Sequence, residues 1–291
     1  MAQPVFGVLG GSGIYELDSL ESPSWKSVST PFGAPSDAIL HGQLHGLEFR
    51  FLPRHGRGHR IPPSSLNFRA NIDALKRTGV TDIISLSAAG SLRENLPPGT
   101  FVLVDQFIDR TFARVKSFFG PGLVAHVSMA HPTSDRLRRL LADASGSAGI
   151  PAVNGGTYLA MEGPQFSTRA ESDLYRSWGC DVIGMTNMPE AKLAREAEIA
   201  YASVAMMTDY DCWHPDHEAV TVEQVIGVLL DNATRARTLV EAFAKAAAAT
   251  GWDDSDPAYR ALDAAIITPP EARDPDLAEK LDAVAGRVLG G

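Results

Sequence analysis

The chain has 291 residues, of which 44% are hydrophobic and 21% charged, enough for a sizeable core in one large α/β domain or two smaller ones. Its formal net charge of −9 argues against a nucleic-acid partner, which calls for a basic surface. Only Cys180 and Cys212 are present, with no CxxC, no basic and apolar leader and no membrane-length apolar run, so a soluble cytoplasmic protein without a membrane partner is expected.

Taken in chain order, apolar runs predict strands at 5–9 and 49–52, and a 3.6-residue pattern predicts a helix at 65–78. Strands follow at 82–86 and 101–104, then a helix at 134–148 and another at 167–178. A strand at 181–184, a helix at 189–197, a strand at 199–206 and a helix at 222–249 complete the series. Strands alternating with helices give a three-layer α/β/α sandwich around a mixed or mostly parallel sheet. No linker interrupts residues 1–250, read as one domain. Residues 251–291 read as an extension packed on it, with one amphipathic helix at 276–288 after a loosely packed connection at 250–275.

Chemistry-bearing residues gather at the expected strand ends. Gly10-Gly11-Ser12-Gly13 lets the backbone approach an anion, with the Ser12 hydroxyl as a donor; a tight turn is the simpler reading, and neither a Walker loop nor a dinucleotide fingerprint matches. Arg54-His55-Gly56-Arg57-Gly58-His59-Arg60 puts five cationic or imidazole side chains into seven residues, a phosphate-binding pattern or a solvated basic loop. Its glycines disfavour helical presentation of a histidine pair to a metal, and no metal site is expected. After the strand at 82–86, Ser87 offers a further donor and Ala88 a small wall. Phe166 is suited to stacking on a planar ring, while Ser167 or Thr168 is suited to capping a helix. Met185 and Thr186 follow another strand, one able to lie against a sugar and the other to donate to an anion.

The pair Asp209 and Asp211 ends the run 199–207. If the backbone stays extended, both side chains project to one side, into the crevice where ligands of open α/β sheets bind. Two acids there divide labour, one giving a proton and one accepting from an amino group; a surface turn is the alternative.

These stretches, GGSGIY (10–15), TPFGAPSD (30–37), RHGRGH (54–59), SAAGSLRE (87–94), DQFIDRT (105–111), EGPQFSTRAES (162–172), GMTNMPEA (184–191) and TDYDCW (208–213), occur in one order over most of the chain. The chain resembles the nucleoside phosphorylase family of trimeric type, most closely its branch acting on 5'-methylthioadenosine. The resemblance implies the nucleoside phosphorylase fold and phosphate-dependent cleavage of the glycosidic bond to adenine and 5-methylthioribose 1-phosphate. Inorganic phosphate is then the co-substrate, no metal or organic cofactor is needed, and the partners are further copies of the chain, as a homotrimer or a hexamer.

Carried over residue by residue, phosphate falls to Ser12, Arg54, His55, Ser87 and Thr186, and sugar and base to Ala88, Phe166 and Met185. Asp209 and Asp211 face N7 and the 6-amino group, with Asp209 expected to carry the proton. Val222, Val225 and Ile226 form the apolar pocket for the methylthio group, and His126 reaches a neighbouring subunit's substrate. An ionised aspartate cannot donate to the O6 of a 6-oxopurine, and the mismatch costs about 1–3 kcal/mol, so two aspartates favour a 6-aminopurine. The alternatives are a phosphorylase for inosine, guanosine or methylthioinosine, a binding protein that has lost catalysis, and a water-using nucleosidase.

Overall fold

The computed structural model describes residues 3–11, 13–215, 222–251 and 253–290, with only the backbone for 222–226. Among these residues the strands are β1 (Val5–Gly10), β2 (Glu21–Lys26), β3 (Ile39–Leu44), β4 (Leu47–Pro53), β5 (Asp82–Ser91), β6 (Phe101–Val104), β7 (Gln106–Asp109), β8 (Ala152–Asn154), β9 (Thr157–Ala160), β10 (Val182–Gly184) and β11 (Ala200–Asp209). The helices are α1 (Phe68–Arg77), α2 (Asp135–Ser147), α3 (Arg169–Ser177), α4 (Asn187–Glu196), α5 (Val222–Thr250), α6 (Pro275–Lys280) and α7 (Asp282–Leu289). No helix among the described residues is long and apolar enough to cross a membrane.

The strands form one mixed sheet. β1, β5 and β11 run parallel at its centre and are buried on both faces, which is why they read as unbroken apolar or small-residue runs. Alternate residues feed two cores. Leu9 and Ile83 pack with α1, α4 and the tail residues Leu262, Leu281 and Val284, whereas Phe6, Val8 and Ile84 pack with Leu137 and Leu141 of α2 and Leu239 and Phe243 of α5. The expected α/β/α layering is therefore present.

Register decides what meets at the sheet's edge. Gly10 pairs with Pro53, so β1 and β4 end together, and the Arg54 amide donates to the Gly10 carbonyl at 2.9 Å. β10 runs antiparallel to β5, with Ile183 opposite Gly90, which turns the following Met185 and Thr186 back along β5 toward Ala88 and Ser87. β5 and β11 are in step from Asp82 to Ala89, then a bulge between Met207 and Asp209 places Asp209 opposite Gly90.

Several elements differ from the sequence expectation. β2, β3, β7, β8 and β9 were not anticipated: β2 and β8 are exposed, β7 and β9 are only four residues long, and the apolar residues of β3 are interrupted by His41, Gly42 and Gln43. The tail forms two short helices rather than one, broken at Leu281, which is itself fully buried. The connection before them is packed: Ala258, Leu262 and Ala265 are buried, the Tyr259 hydroxyl donates to Asp82 at 2.9 Å, and Arg287 bonds the largely buried Glu198.

Candidate active site

A cavity of about 520 Å³ opens where β1, β4, β5, β10 and β11 end, within the range of small-molecule sites. Arg54, His55, Ser87 and Thr186 line one part of it, Ala88, Phe166 and Met185 another, and Asp209 and Asp211 a third. Leu229 and Ala233 of α5 also line it. Of the residues singled out in the sequence, Ser12 and the side chains of Val222, Val225 and Ile226 lie outside the described residues. His126 is not in this cavity. It faces two other clefts, and its amide donates to the Ala265 carbonyl of the tail.

Arg54 is the most constrained of these groups. Only 2% of it is exposed, and its Nε and Nη2 bond Glu190 at 2.8 and 3.1 Å. Nη2 also donates to Ser85 Oγ at 2.6 Å and to the Leu9 carbonyl at 3.3 Å, and Nη1 to the Leu86 carbonyl at 3.0 Å. Burial opposes its charge, but Glu190 outweighs that and holds the guanidinium above its ordinary pKa. With five N–H donors, Arg54 keeps one Nη1 hydrogen for a ligand. Glu190 also accepts from Ser85 and Tyr201 at 2.6 and 2.9 Å. The sequence alone does not single out this acid within GMTNMPEA, although a buried arginine at a strand end requires a counter-charge.

Beside Arg54, the Ser87 and Thr186 hydroxyls lie 3.0 Å apart, each about 5% exposed. His55 is buried, its Nδ1 2.8 Å from the Ile61 carbonyl, and His59 stacks on it at 4.3 Å. Burial, with help from Arg54 and His59 and against the Ile61 bond, lowers the His55 pKa to about 4. Arg57 of the same stretch is spent elsewhere, bonding Asp37 and lying 4.4 Å from the Trp25 ring, while Arg60 stands at the cavity rim with its Nε donating back to the Arg57 carbonyl.

The aspartates converge by a route other than continued extension. The bulge re-aims Asp209, whose Oδ2 accepts from Thr208 at 2.6 Å. The chain then turns, Asp211 takes a left-handed φ of 52°, and its amide donates to Asp209 Oδ1 at 2.7 Å. Turn and pocket are thus the same feature. Asparagine and aspartate tolerate this conformation better than most residues. Trp213 fastens the turn through its indole N–H, which donates to the Ser91 carbonyl at 2.7 Å under the Arg176 guanidinium. Burial raises the Asp211 pKa, the Ser172 hydroxyl opposes this, and the charge of Asp209 adds to it. Asp211 Oδ2 has no partner among the described residues. Sequence reasoning put the proton on Asp209, whereas burial favours one on Asp211. Gly90 was also missed: a Cβ there would lie 2.8 Å from Asp209 Oδ1, so only glycine lets the acid close on β5.

Two further residues hold the cavity wall. Arg114 donates to the carbonyls of Met185, Met188 and Glu162 at 2.5, 2.7 and 2.7 Å, and Glu162 accepts from the Phe112 amide. At the helix after Phe166, Thr168 rather than Ser167 makes the cap, in a capping box with Glu171.

Fold and site together define a phosphorylase. The profile of the Phosphorylase superfamily matches residues 5–245, and the chain belongs to that family. It is 65% identical to S-methyl-5'-thioadenosine phosphorylase of Rhodospirillum rubrum, over 99% of this chain and 98% of that one. Among solved structures it is similar to a methylthioadenosine phosphorylase from an antarctic soil metagenomic library, at a TM-score of 0.91 and 46% identity over 98% of this chain and 99% of that one. It is also similar to methylthioadenosine phosphorylase from Schistosoma mansoni in complex with adenine, at a TM-score of 0.79 and 38% identity over 83% and 91% of the two chains.

Proposed function

We propose that the protein cleaves 5'-methylthioadenosine with inorganic phosphate, releasing adenine and 5-methylthioribose 1-phosphate. The observation that carries this reading is the opposition, within one cavity, of a cation-and-hydroxyl cluster and a pair of carboxylates with no amide between them. Phosphate is held by Arg54, His55, Ser87 and Thr186, joined by Ser12. Ala88, Phe166 and Met185 take sugar and base, and Val222, Val225 and Ile226 take the methylthio group. Cleavage builds positive charge on the ribose and negative charge on the purine. Phosphate lies against the first, and a proton from the acid pair neutralises the second at N7. Burial favours Asp211 as the residence of that proton, leaving Asp209 as the acceptor. No metal or organic cofactor enters the scheme.

The working unit is a homotrimer in which His126 serves a neighbour's substrate. Its place outside its own chain's cavity supports this, as do the exposed apolar side chains of Phe112, Val115 and Ile267. The free thiols of Cys180 and Cys212 suit a cytoplasmic setting.

Purified protein incubated with methylthioadenosine, adenosine or inosine, with and without phosphate, tests the reading. Phosphate-dependent release of adenine from methylthioadenosine is expected to be fastest. Inosine cleaved faster than methylthioadenosine overturns the substrate, and cleavage without phosphate overturns the reaction.

A further inference from the structure

The hydrogen bonding of His55 sets what its free nitrogen can do. Nδ1 is 2.8 Å from the Ile61 carbonyl, and a carbonyl oxygen only accepts, so Nδ1 carries a hydrogen. Nε2 has no hydrogen-bond partner among the described residues, and the ring lines the cavity. A second proton on Nε2 would make a buried imidazolium beside the Arg54 guanidinium and against the ring of His59 at 4.3 Å, with Arg60 at the cavity rim. The acid whose charge favours that proton, Glu190, is engaged by Arg54. The balance leaves His55 neutral at physiological pH, consistent with its pKa near 4. A neutral ring with Nδ1–H presents Nε2 as a lone pair, an acceptor inside a cluster of donors.

We propose that His55 accepts a hydrogen bond from the protonated oxygen of hydrogen phosphate, so that the site recognises a P–OH group and not negative charge alone. This rests on the phosphorolytic reading and specifies the form of its co-substrate. The donors around it, Arg54 Nη1 and the hydroxyls of Ser87 and Thr186, are suited to the oxygens that carry no proton. With the protonated oxygen turned to His55, an unprotonated one is left to attack the sugar.

Monofluorophosphate isolates the effect. It is a tetrahedral dianion like hydrogen phosphate, but fluorine replaces the hydroxyl, so it offers Nε2 nothing to accept. Its inhibition constant against phosphate, near neutral pH, is expected to exceed the phosphate KM on the order of tenfold to a hundredfold, the effect of leaving a buried polar atom unpaired. Sulfate, which also lacks the proton, should bind as poorly, whereas arsenate, which keeps an As–OH, should replace phosphate in the reaction. In His55→Leu the acceptor is gone, and fluorophosphate and phosphate should approach parity. The comparison of anions on the unmodified protein stands whether or not that variant folds. Fluorophosphate and sulfate binding as tightly as phosphate, in a protein whose cleavage depends on phosphate, would overturn the role of His55 and leave phosphorolysis intact. Cleavage that ignores phosphate would overturn both.

Discussion

Replacing Glu190 with glutamine tests whether the buried pair is what fixes the phosphate-binding arginine. The side chains of Arg54 and Glu190 are each 2% exposed. Both Glu190 oxygens are in use: Oε2 accepts from Arg54 Nε, and Oε1 from Arg54 Nη2, Ser85 and Tyr201. Glutamine keeps the shape but removes the charge and turns one of these acceptors into an NH₂ group facing donors. Arg54 would then be an uncompensated cation in a dry site, a change that costs about 3–5 kcal/mol when one partner of a buried pair is lost. At roughly 2–4 °C per kcal/mol for chains approaching this size, the melting temperature should fall by on the order of 10 °C. Because Nη1 is aimed by the same lattice, the phosphate KM should rise about tenfold, equivalent to about 1.4 kcal/mol, with a smaller effect on methylthioadenosine. Thermal unfolding together with initial rates over a phosphate series gives both quantities. A melting temperature within a degree or two of the parent and an unchanged phosphate KM would refute the reasoning. Ser85 and the carbonyls of Leu9 and Leu86 would then suffice to hold Arg54.

Gly90→Ala should leave the fold intact by circular dichroism yet lower kcat more than tenfold, because its Cβ would stand 2.8 Å from Asp209 Oδ1 and 3.1 Å from Ile183 Cγ2. Since burial raises the Asp211 pKa, its acid form is complete below that pKa and is lost as pH rises through it. kcat should therefore decline on the alkaline side in the parent protein, and Asp211→Asn should remove that decline along with most of the turnover. The same loss of the pH limb in Asp209→Asn, with Asp211→Asn retaining it, would move the proton to Asp209. Glu196 makes a separate, structural prediction: burial raises its pKa to about 7, against hydrogen bonds from the Phe118 amide and Ser117 hydroxyl and the charge of Lys192. A carboxyl raised above its unfolded value favours the fold at low pH, so stability should fall from about pH 4.5 to about pH 7, and Glu196→Gln should flatten that slope in pH-dependent melts.

What the sequence revealed, and what it withheld, follows from the range of each interaction. β1, β5 and β11 were legible because double burial writes itself as uninterrupted apolar or small residues, and α1, α2 and α3 because their burial has a period. Nine of the residues given a site role from the sequence line the cavity, since hydroxyls, cations and acids at strand ends are a local signal. The reason the two aspartates meet was not local. Their convergence needs a bulge set by pairing with β5, a glycine on that partner strand, and a left-handed turn fastened by Trp213 to Ser91, 122 residues away in sequence. Glu190 was hidden in the same way, 136 residues from the arginine it neutralises. A motif can show that an acid stands at a strand end; whether it enters a pocket, and whether it keeps its proton there, is decided by neighbours that only the folded sheet supplies.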